Sequence, residues 1–255
     1  MSDLSGRTTI VVGASRGLGR GIAAAFAEAG APVVAVSRTA AEFPEPANPA
    51  GTIQPGTIQP EVADAGDPTV AASLLDRYAP QAVILVAGAS PHMRPLQHQT
   101  WETFSVNWHT DVRITFHWLR EALLTPLRPG SRVVVFSSGA ALNPNGSPLS
   151  GGYAGAKATQ RLLTLYAQEE ADRAGLGLTF TAVMPYFAPS TGVGQPAVAA
   201  YAARAGLPLE EFLKQQQPLV TPETAGAAVV ELVQADAATL APAYRLSGTG
   251  LQQLP

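Results

Sequence analysis

Short apolar runs alternate along the chain with longer segments in which apolar residues recur at helical spacing. The runs contain consecutive apolar and β-branched residues and end at turn residues, a pattern typical of parallel strands that are buried on both faces. They occupy residues 8–12, 33–36, 83–86, 132–136 and 178–183, with a further candidate strand at 57–62.

The intervening segments carry the spacing of amphipathic helices. In the first of them, Leu18, Ile22 and Phe26 share one face before Gly30 ends the helix. Further helices are predicted after residues 67–68, over 101–124, over 153–174 and over 221–232. Strands that alternate with helices predict an α/β fold, a doubly wound parallel sheet with helices on both faces, in a single domain that spans residues 1–255.

Two proline-rich segments interrupt this alternation. Residues 40–60 contain a tandem repeat, Gly-Thr-Ile-Gln-Pro at 51–55 and again at 56–60. Their prolines disfavour a regular helix, so we expect a loop with at most a helical turn. Residues 185–220 contain five further prolines and are predicted to form a substrate loop or lid within the same domain.

Composition excludes several classes of protein. The chain has 255 residues, a net charge of −3 and no cysteine, which excludes a disulfide framework, a cysteine-ligated zinc site and thiol catalysis. Charge balance offers no basic stripe, so no nucleic-acid partner is expected, and the histidine spacing predicts no metal site. Since no apolar run has the length of a membrane span and the first residues lack a signal-peptide core, we expect no membrane contact and a cytoplasmic location.

The first strand ends in a glycine-rich turn that opens the first helix. The turn contains Gly13, Ser15, Arg16, Gly17, Leu18 and Gly19. Glycines here let the backbone approach a pyrophosphate, which then lies at the positive N-terminus of the helix. Three glycines also occur in ordinary strand-to-helix turns. Their position between two strand patterns and an amphipathic helix nevertheless favours dinucleotide binding.

The end of the second strand bears on which dinucleotide is bound. Proteins that bind NAD usually place a carboxylate there for the adenosine ribose, whereas this strand ends in Ser37 and Arg38. The guanidinium groups of Arg16 and Arg38 suit a ribose 2′-phosphate, to which they can form charge-assisted bonds. Both are equally consistent with solvated surface arginines. The missing carboxylate favours NADP(H) over NAD(H).

Four polar residues are candidates for proton transfer. Tyr153 and Lys157 are four residues apart in a predicted helix, so their side chains share one face. A nearby ammonium favours the phenolate form, which would let Tyr153 exchange a proton with a carbonyl or hydroxyl oxygen. Ser138 follows a strand at the ligand-binding end of the sheet, and Asn107 interrupts an apolar helix. Each of the four also has an ordinary structural interpretation, as a core tyrosine, a solvated lysine, a turn serine or an exposed helix position.

Together these residues resemble the short-chain dehydrogenase/reductase family, in its compact single-domain branch with a Rossmann-like fold. The resemblance extends from Leu4 to about Gly250 and matches Gly13, Gly17, Gly19, Asn107, Ser138, Tyr153 and Lys157 to the family's motifs. It implies that Tyr153 is the general acid/base and that Ser138 hydrogen-bonds the substrate oxygen. It further implies that Lys157 binds the nicotinamide ribose and tunes Tyr153, while Asn107 holds a water in the proton relay.

The resemblance also implies cofactor contacts outside these motifs. Glu61 and Val62, followed by Asp64, stand where the family has Asp-Val beside the adenine. Ala87 and Gly88 match the end of the family's Asn-Ala-Gly segment, although the asparagine is replaced by valine.

Four further positions concern the nicotinamide end and the substrate. Pro185 matches the proline of a family Pro-Gly pair, and Thr191 is a candidate contact of the carboxamide. Tyr186 replaces the glycine and, with Phe187, is expected to line the substrate pocket and to favour an apolar or ring-bearing group. The spacing from Ser138 to Tyr153 is longer than is usual in the family; the adjacent Ser137 is an alternative that ranks below Ser138.

The function implied is that of an NADP(H)-dependent oxidoreductase that interconverts a carbonyl and an alcohol. Hydride comes from the nicotinamide and the proton passes through Tyr153. A catalytically silent NADP(H)-binding sensor or scaffold of the same fold is the alternative, and an epimerase or dehydratase fits the chain length less well. The expected partners are a small carbonyl or alcohol and further copies of the chain, in a homodimer or homotetramer built on helices 101–124 and 153–174.

Overall fold

The strands form one eight-stranded sheet. The structure is a computed structural model that describes residues 4–43, 53–125, 127–143 and 147–254. Within these ranges the strands are β1 (Thr9–Val12), β2 (Val33–Ser37), β3 (Ile58–Val62), β4 (Ala82–Leu85), β5 (Arg132–Phe136), β6 (Thr179–Pro185), β7 (Ala243–Ser247) and β8 (Gly250–Leu254). Their order is β3-β2-β1-β4-β5-β6-β7-β8, parallel except for β8, which runs antiparallel to β7. The predicted parallel sheet is confirmed, and β7 and β8 are additions that the sequence patterns did not predict.

Helices cover both faces of the sheet, as predicted. They are α1 (Gly17–Glu28), α2 (Pro68–Tyr78), α3 (Trp101–Asn107), α4 (Arg113–Leu124), α5 (Gly151–Arg173), α6 (Gly194–Ala205), α7 (Leu209–Gln215) and α8 (Pro222–Gln234). One core layer packs α1 and α8 against the sheet through Ile22, Phe26 and Val229. The opposite layer uses α2, α4 and α5, with Leu74 and Trp118 among its buried residues. Burial of both sheet faces explains why most strands read as continuous apolar runs.

The predicted helix over 101–124 is interrupted in its middle. Residues Trp108–Val112 form a π-helical turn between α3 and α4. Such turns insert an extra residue into a helix and are frequent at functional sites. In this chain the turn follows Asn107 directly and contains Asp111, which is fully buried.

The two proline-rich segments differ in structure. Residues 44–52, which include the start of the tandem repeat, lie outside the described residues. The second copy of the repeat leads into β3 at the edge of the sheet. The 185–220 segment leaves the end of β6 and contains both α6 and α7 before it reaches α8. Within the described ranges, no helix combines the length and the apolarity needed to cross a bilayer.

Candidate active site

A cavity of about 830 Å³ opens at the carboxyl ends of β1, β2, β4, β5 and β6. The chain connections reverse direction between β1 and β4, and open α/β sheets bind ligands at such a point. The volume is within the range of known ligand pockets. Of the residues predicted from sequence, those lining the cavity are Gly13, Ser15, Arg16, Gly17, Leu18, Gly19, Ser37, Arg38, Ala87, Gly88, Ser138, Tyr153, Lys157, Pro185, Tyr186, Phe187 and Thr191. Asn107, Glu61 and Val62 do not line it.

The glycine turn after β1 is packed too closely for side chains at two of its positions. Gly13 has a φ of +93°, and a Cβ built on it would lie 2.6 Å from the backbone nitrogen of Ala87. A Cβ on Gly19 would lie 2.2 Å from the carbonyl oxygen of Gly13. Arg16 is the N-cap residue of α1, and its side chain makes no capping hydrogen bond with the described residues. Because this helix N-terminus lines the cavity, the turn fits a pyrophosphate.

Arg16 and Arg38 are exposed on the wall of the cavity. Among the described residues, no ion pair joins either guanidinium to a carboxylate. A Cβ on Gly192 would lie 3.5 Å from Cζ of Arg16, so the 185–220 segment passes close to this end of the site. Ser37 donates its hydroxyl hydrogen to the carbonyl oxygen of Thr39 at 2.7 Å.

The expected adenine contact at Glu61 and Val62 needs correction. Glu61 accepts a hydrogen bond from the Tyr78 hydroxyl at 2.8 Å and pairs with Arg77 at 3.3 Å, which directs its carboxylate towards α2. Val62 is the last residue of β3 and is 59% exposed outside the cavity. Residues 63–65, just beyond the strand end, line the cavity instead, and they include Asp64. The end of the strand was the signal that would have selected Asp64, since ligands lie beyond the carboxyl ends of strands.

Tyr153 and Lys157 meet at the centre of the cavity on the first turns of α5. Lys157 Nζ lies 5.5 Å from the centroid of the Tyr153 ring. The tyrosine is half-buried, whereas Lys157 is 5% exposed. The glycines before Tyr153 allow α5 to approach α3, because a Cβ on Gly152 would lie 2.0 Å from the carbonyl oxygen of Phe104. Helix geometry thus brings the predicted pair together.

The two adjacent serines after β5 have different hydrogen bonds. Ser137 is buried and donates its hydroxyl hydrogen to the backbone carbonyl oxygen of Lys157 at 2.7 Å. Ser138 is partly exposed on the cavity wall, and its oxygen accepts a hydrogen bond from the backbone N–H of Ala140 at 3.2 Å. This difference favours Ser138 as the serine that faces a ligand.

Asn107 is the last residue of α3 and lies behind the cavity wall. It is 1% exposed and donates from Nδ2 to the carbonyl oxygen of Ala89 at 2.7 Å. Its Oδ1 is buried and has no partner among the described residues. Asn107 is linked to Lys157 through Asp111, whose Oδ1 lies 3.3 Å from Nδ2 of Asn107 and whose Oδ2 lies 3.1 Å from Nζ of Lys157.

Asp111 is the residue of this site that the sequence analysis missed. A carboxylate in an apolar helical segment, four residues after the candidate Asn107, was the available signal. Burial lowers the pKa of Lys157, but the charge of Asp111, the proximity of Tyr153 and the hydrogen bond that the ammonium donates to Asp111 together raise it above its ordinary value of 10.5. Lys157 is therefore a charged ammonium at neutral pH.

Aromatic residues line the other side of the cavity. The ring centroids of Tyr186 and Phe187 are 5.0 Å apart, and Phe187 also packs edge-on against Phe212 of α7 at 5.8 Å. Thr191 donates its hydroxyl hydrogen to the carbonyl oxygen of Ala188 at 2.9 Å and accepts from the N–H of Gly194. Its side chain therefore caps the entry into α6 while lining the cavity. No cluster of potential metal ligands occurs among the residues that the structure describes.

A doubly wound sheet with a glycine-lined cavity at its switch point defines the class of dinucleotide-binding α/β proteins. The sequence profile of the short chain dehydrogenase family matches residues 7–202. The chain therefore belongs to the short-chain dehydrogenase/reductase family, whose members are oxidoreductases that use a nicotinamide cofactor.

Relatives and solved structures agree with this assignment. The chain is 30% identical over 171 residues to a hydroxynaphthalene reductase-like protein, Arp2, of Metarhizium majus, a match that covers 61% of this chain and 59% of that protein. It is 33% identical over 110 residues to human L-xylulose reductase, with 43% of each chain covered. Each match thus spans less than two thirds of the relative's length.

Two crystal structures share the fold. A short chain dehydrogenase from Mycobacterium avium superposes with a TM-score of 0.74 at 22% identity, covering 100% of this chain and 87% of that one. A short chain dehydrogenase from Burkholderia cenocepacia J2315, in complex with NADP, superposes with a TM-score of 0.74 at 20% identity. The match covers 97% of this chain and 98% of that one.

Proposed function

We propose that this protein is an NADP(H)-dependent reductase or dehydrogenase that interconverts a carbonyl and an alcohol. The observation that carries the proposal is Tyr153 on the wall of the switch-point cavity, with the Lys157 ammonium 5.5 Å from its ring centroid. When bound, the nicotinamide supplies the hydride for reduction or accepts it in oxidation. The proton has to come from the protein, and Tyr153 is the acidic group in position for it.

The other residues of the site support that proton transfer. Ser138 lines the same cavity and presents a hydroxyl that can hydrogen-bond the substrate oxygen as charge develops on it. The Lys157 ammonium stabilises negative charge on the phenol oxygen and can bind the nicotinamide ribose. Asn107 keeps a buried Oδ1 free of protein partners among the described residues, which is compatible with holding a water of the relay.

Two arginines support NADP(H) over NAD(H). Arg16 and Arg38 lie on the cavity wall without carboxylate partners among the described residues, at the end of the site where β2 stops. A ribose 2′-phosphate would satisfy both guanidinium groups. The neighbour with NADP bound is compatible with this preference. At the adenine, Asp64 replaces Glu61 as the proposed contact.

The 185–220 segment is proposed to be the substrate loop of this single-domain enzyme. It leaves β6 at Pro185, brings Tyr186 and Phe187 to the cavity and passes beside the glycine turn at Thr191. An apolar or ring-bearing carbonyl compound suits these aromatic walls. The two curated relatives are named reductases, which is consistent with reduction as the direction of use.

A homo-oligomer is proposed from the apolar surface of α3, α4 and α5. Large apolar side chains are exposed there on the described surface, namely Trp101, Trp108, Phe116, Leu162 and Tyr166. An exposed apolar surface of this kind marks an interaction site. Light scattering after size-exclusion chromatography should give a multiple of 26.4 kDa, and a 26.4 kDa species alone would contradict this proposal.

The function is tested by following NADPH oxidation with a panel of aliphatic, cyclic and aromatic ketones and aldehydes. Turnover should occur with at least one carbonyl compound and should fall by about 100-fold or more in Tyr153→Phe. Tyr166→Phe is the matched control, since Tyr166 is an exposed tyrosine of the same helix. Full turnover of Tyr153→Phe would refute the assigned role. Tight NADPH binding without turnover on any carbonyl would instead support the silent sensor.

A further inference from the structure

The chain contains only two lysines, and they lie in opposite environments. Lys214 is on α7, where its exposed side chain pairs with Glu210 one helical turn away. Lys157 is 5% exposed and faces Asp111, which is fully buried. A buried lysine beside a buried carboxylate is uncommon, because each charge loses its hydration.

The Asp111 carboxylate joins three separate parts of the site. Its Oδ2 lies 3.1 Å from Nζ of Lys157 on α5. Its Oδ1 accepts hydrogen bonds from the backbone N–H of Ala89 at 2.8 Å and from Nδ2 of Asn107 at 3.3 Å. The loop after β4 packs directly on it, since a Cβ on Gly88 would lie 2.8 Å from Oδ2. Residues 88 and 89 are thereby held at the cavity wall.

Within the part of the chain that the structure describes, no other charged side chain contacts the Lys157–Asp111 pair. From α5, Lys157 and Tyr153 face Asp111, and the Gln160 amide donates a hydrogen bond to the backbone carbonyl oxygen of Asp111 at 3.3 Å. From β5, the carbonyl oxygen of Phe136 accepts from Nζ at 3.2 Å. Among the described residues, Asp111 is therefore the only carboxylate in contact with the ammonium.

We infer that Asp111 is a positioning residue that keeps Lys157 protonated and fixes its ammonium beside the ring of Tyr153. The physical reason is that a buried lysine without a counter-charge loses its proton far more readily than an exposed one. The carboxylate prevents this, and its bonds to Ala89 and Asn107 prevent the ammonium from turning away. The role in turnover rests on the proposed function, whereas the effect on Lys157 does not.

The first experiment follows the titration of both lysines by NMR of protein labelled with ¹³C-lysine. Lys214→Arg assigns the two ε-methylene signals. In the wild type, the Lys157 signal should titrate above the ordinary lysine value of 10.5. In Asp111→Asn, a variant close in shape without the charge, its midpoint should fall below that ordinary value, by about one pH unit or more.

This measurement needs no substrate, so it separates failure of the inference from failure of the proposed function. A wild-type Lys157 that titrates below the ordinary lysine value of 10.5 would overturn the inference, as would an unchanged midpoint in Asp111→Asn. If the variant does not fold, the titration of Lys157 in the wild type tests the inference by itself.

The second experiment compares kcat for carbonyl reduction at about pH 7 and about pH 9. If Asp111 acts by keeping Lys157 charged, the kcat of Asp111→Asn divided by the kcat of the wild type should be at least about fivefold lower at about pH 9 than at about pH 7. A purely structural defect would lower kcat by the same factor at both pH values, and that result would overturn the inference. Glu121→Gln is the control, because Glu121 is also a buried carboxylate of this helical region but pairs with Arg120 away from the cavity.

Discussion

Ser137 donates a hydrogen bond from its hydroxyl to the backbone carbonyl oxygen of Lys157, with 2.7 Å between the oxygen atoms. This bond ties the end of β5 to the second turn of α5. Both serines line the cavity, but this bond uses the hydroxyl hydrogen of Ser137 for structure, so Ser138 is the serine whose hydroxyl can donate to a ligand. The two neighbouring serines should therefore respond differently to the same substitution.

Ser138→Ala should lower kcat/KM for the best carbonyl substrate by about 100-fold or more, the usual cost of removing one hydrogen bond to a developing oxyanion. Ser137→Ala should retain most of the activity but lower the midpoint of thermal unfolding, because it leaves the Lys157 carbonyl oxygen without its side-chain donor. Steady-state kinetics and thermal unfolding of both variants check this. The reverse pattern would identify Ser137 as the serine that binds substrate.

Arg38→Asp should change the choice of cofactor. The new carboxylate repels a 2′-phosphate and can accept hydrogen bonds from a ribose hydroxyl, so kcat/KM for NADPH should fall by about 10- to 100-fold while that for NADH falls less or rises. The measurement is kcat/KM for each cofactor at saturating substrate. Arg173→Asp, at the exposed end of α5, makes the same charge change away from the cavity and should leave the ratio unaltered. Equal losses with both cofactors would contradict a 2′-phosphate contact.

Tyr186 should limit the size of the substrate. Its ring lines the cavity and lies against Gly139, because a Cβ built on Gly139 would be 3.3 Å from a ring carbon of Tyr186. Tyr186→Ala should therefore raise kcat/KM for two-ring ketones relative to small aliphatic ketones by about tenfold, as expected when a pocket gains apolar space. Tyr186→Phe keeps the ring and loses only the hydroxyl contact with Gln216 at 3.4 Å, so it should keep the wild-type ranking. An unchanged ranking in Tyr186→Ala would place the size limit elsewhere.

The Lys157–Asp111 pair should make a pH-dependent contribution to stability. Because the pKa of Lys157 is raised in the folded state, the contribution is fully present below the ordinary value of 10.5 and is lost as the pH rises through the folded value. Lys157→Met leaves Asp111 buried without its partner and should lower the free energy of unfolding at about pH 7 by about 3–5 kcal/mol.

Urea unfolding of wild type and Lys157→Met, from about pH 7 to about pH 11, measures the difference in their free energies of unfolding. This difference should become smaller at the alkaline end, because the wild-type lysine loses its charge there. Lys214→Met should show no such dependence, since Lys214 pairs only at the surface. A difference that stays constant with pH would show that the ion pair does not stabilise the fold.

The parts of the site that the sequence predicted are those fixed by short-range geometry. Gly13, Gly17 and Gly19 lie within one turn, and Tyr153 and Lys157 lie one helical turn apart, so a local pattern places them relative to each other. Glu61 does not line the cavity, because its carboxylate pairs with Tyr78 and Arg77 of α2, and a local pattern does not show contacts between residues so far apart in the chain.

Other features depend on structure that no local pattern encodes. Asp111 reaches Lys157 only because a π-helical turn, packed against α5, aims its carboxylate inward. β7 and β8 escaped prediction because they lie at the end of the sheet, where Arg245, Gln252 and Gln253 break the apolar run. Burial on one side only permits such polar positions.

The tandem repeat has a consequence for how the sheet meets other molecules. Its last residue, Pro60, lies in the middle of β3, opposite Ala35 of β2, and β3 is an outer strand of the sheet. Proline has no backbone N–H, so this border offers an interrupted row of donors to any extended chain that approaches it. The protein is thereby protected from edge-to-edge aggregation along β3, and Pro60→Thr would restore the missing donor and remove that protection.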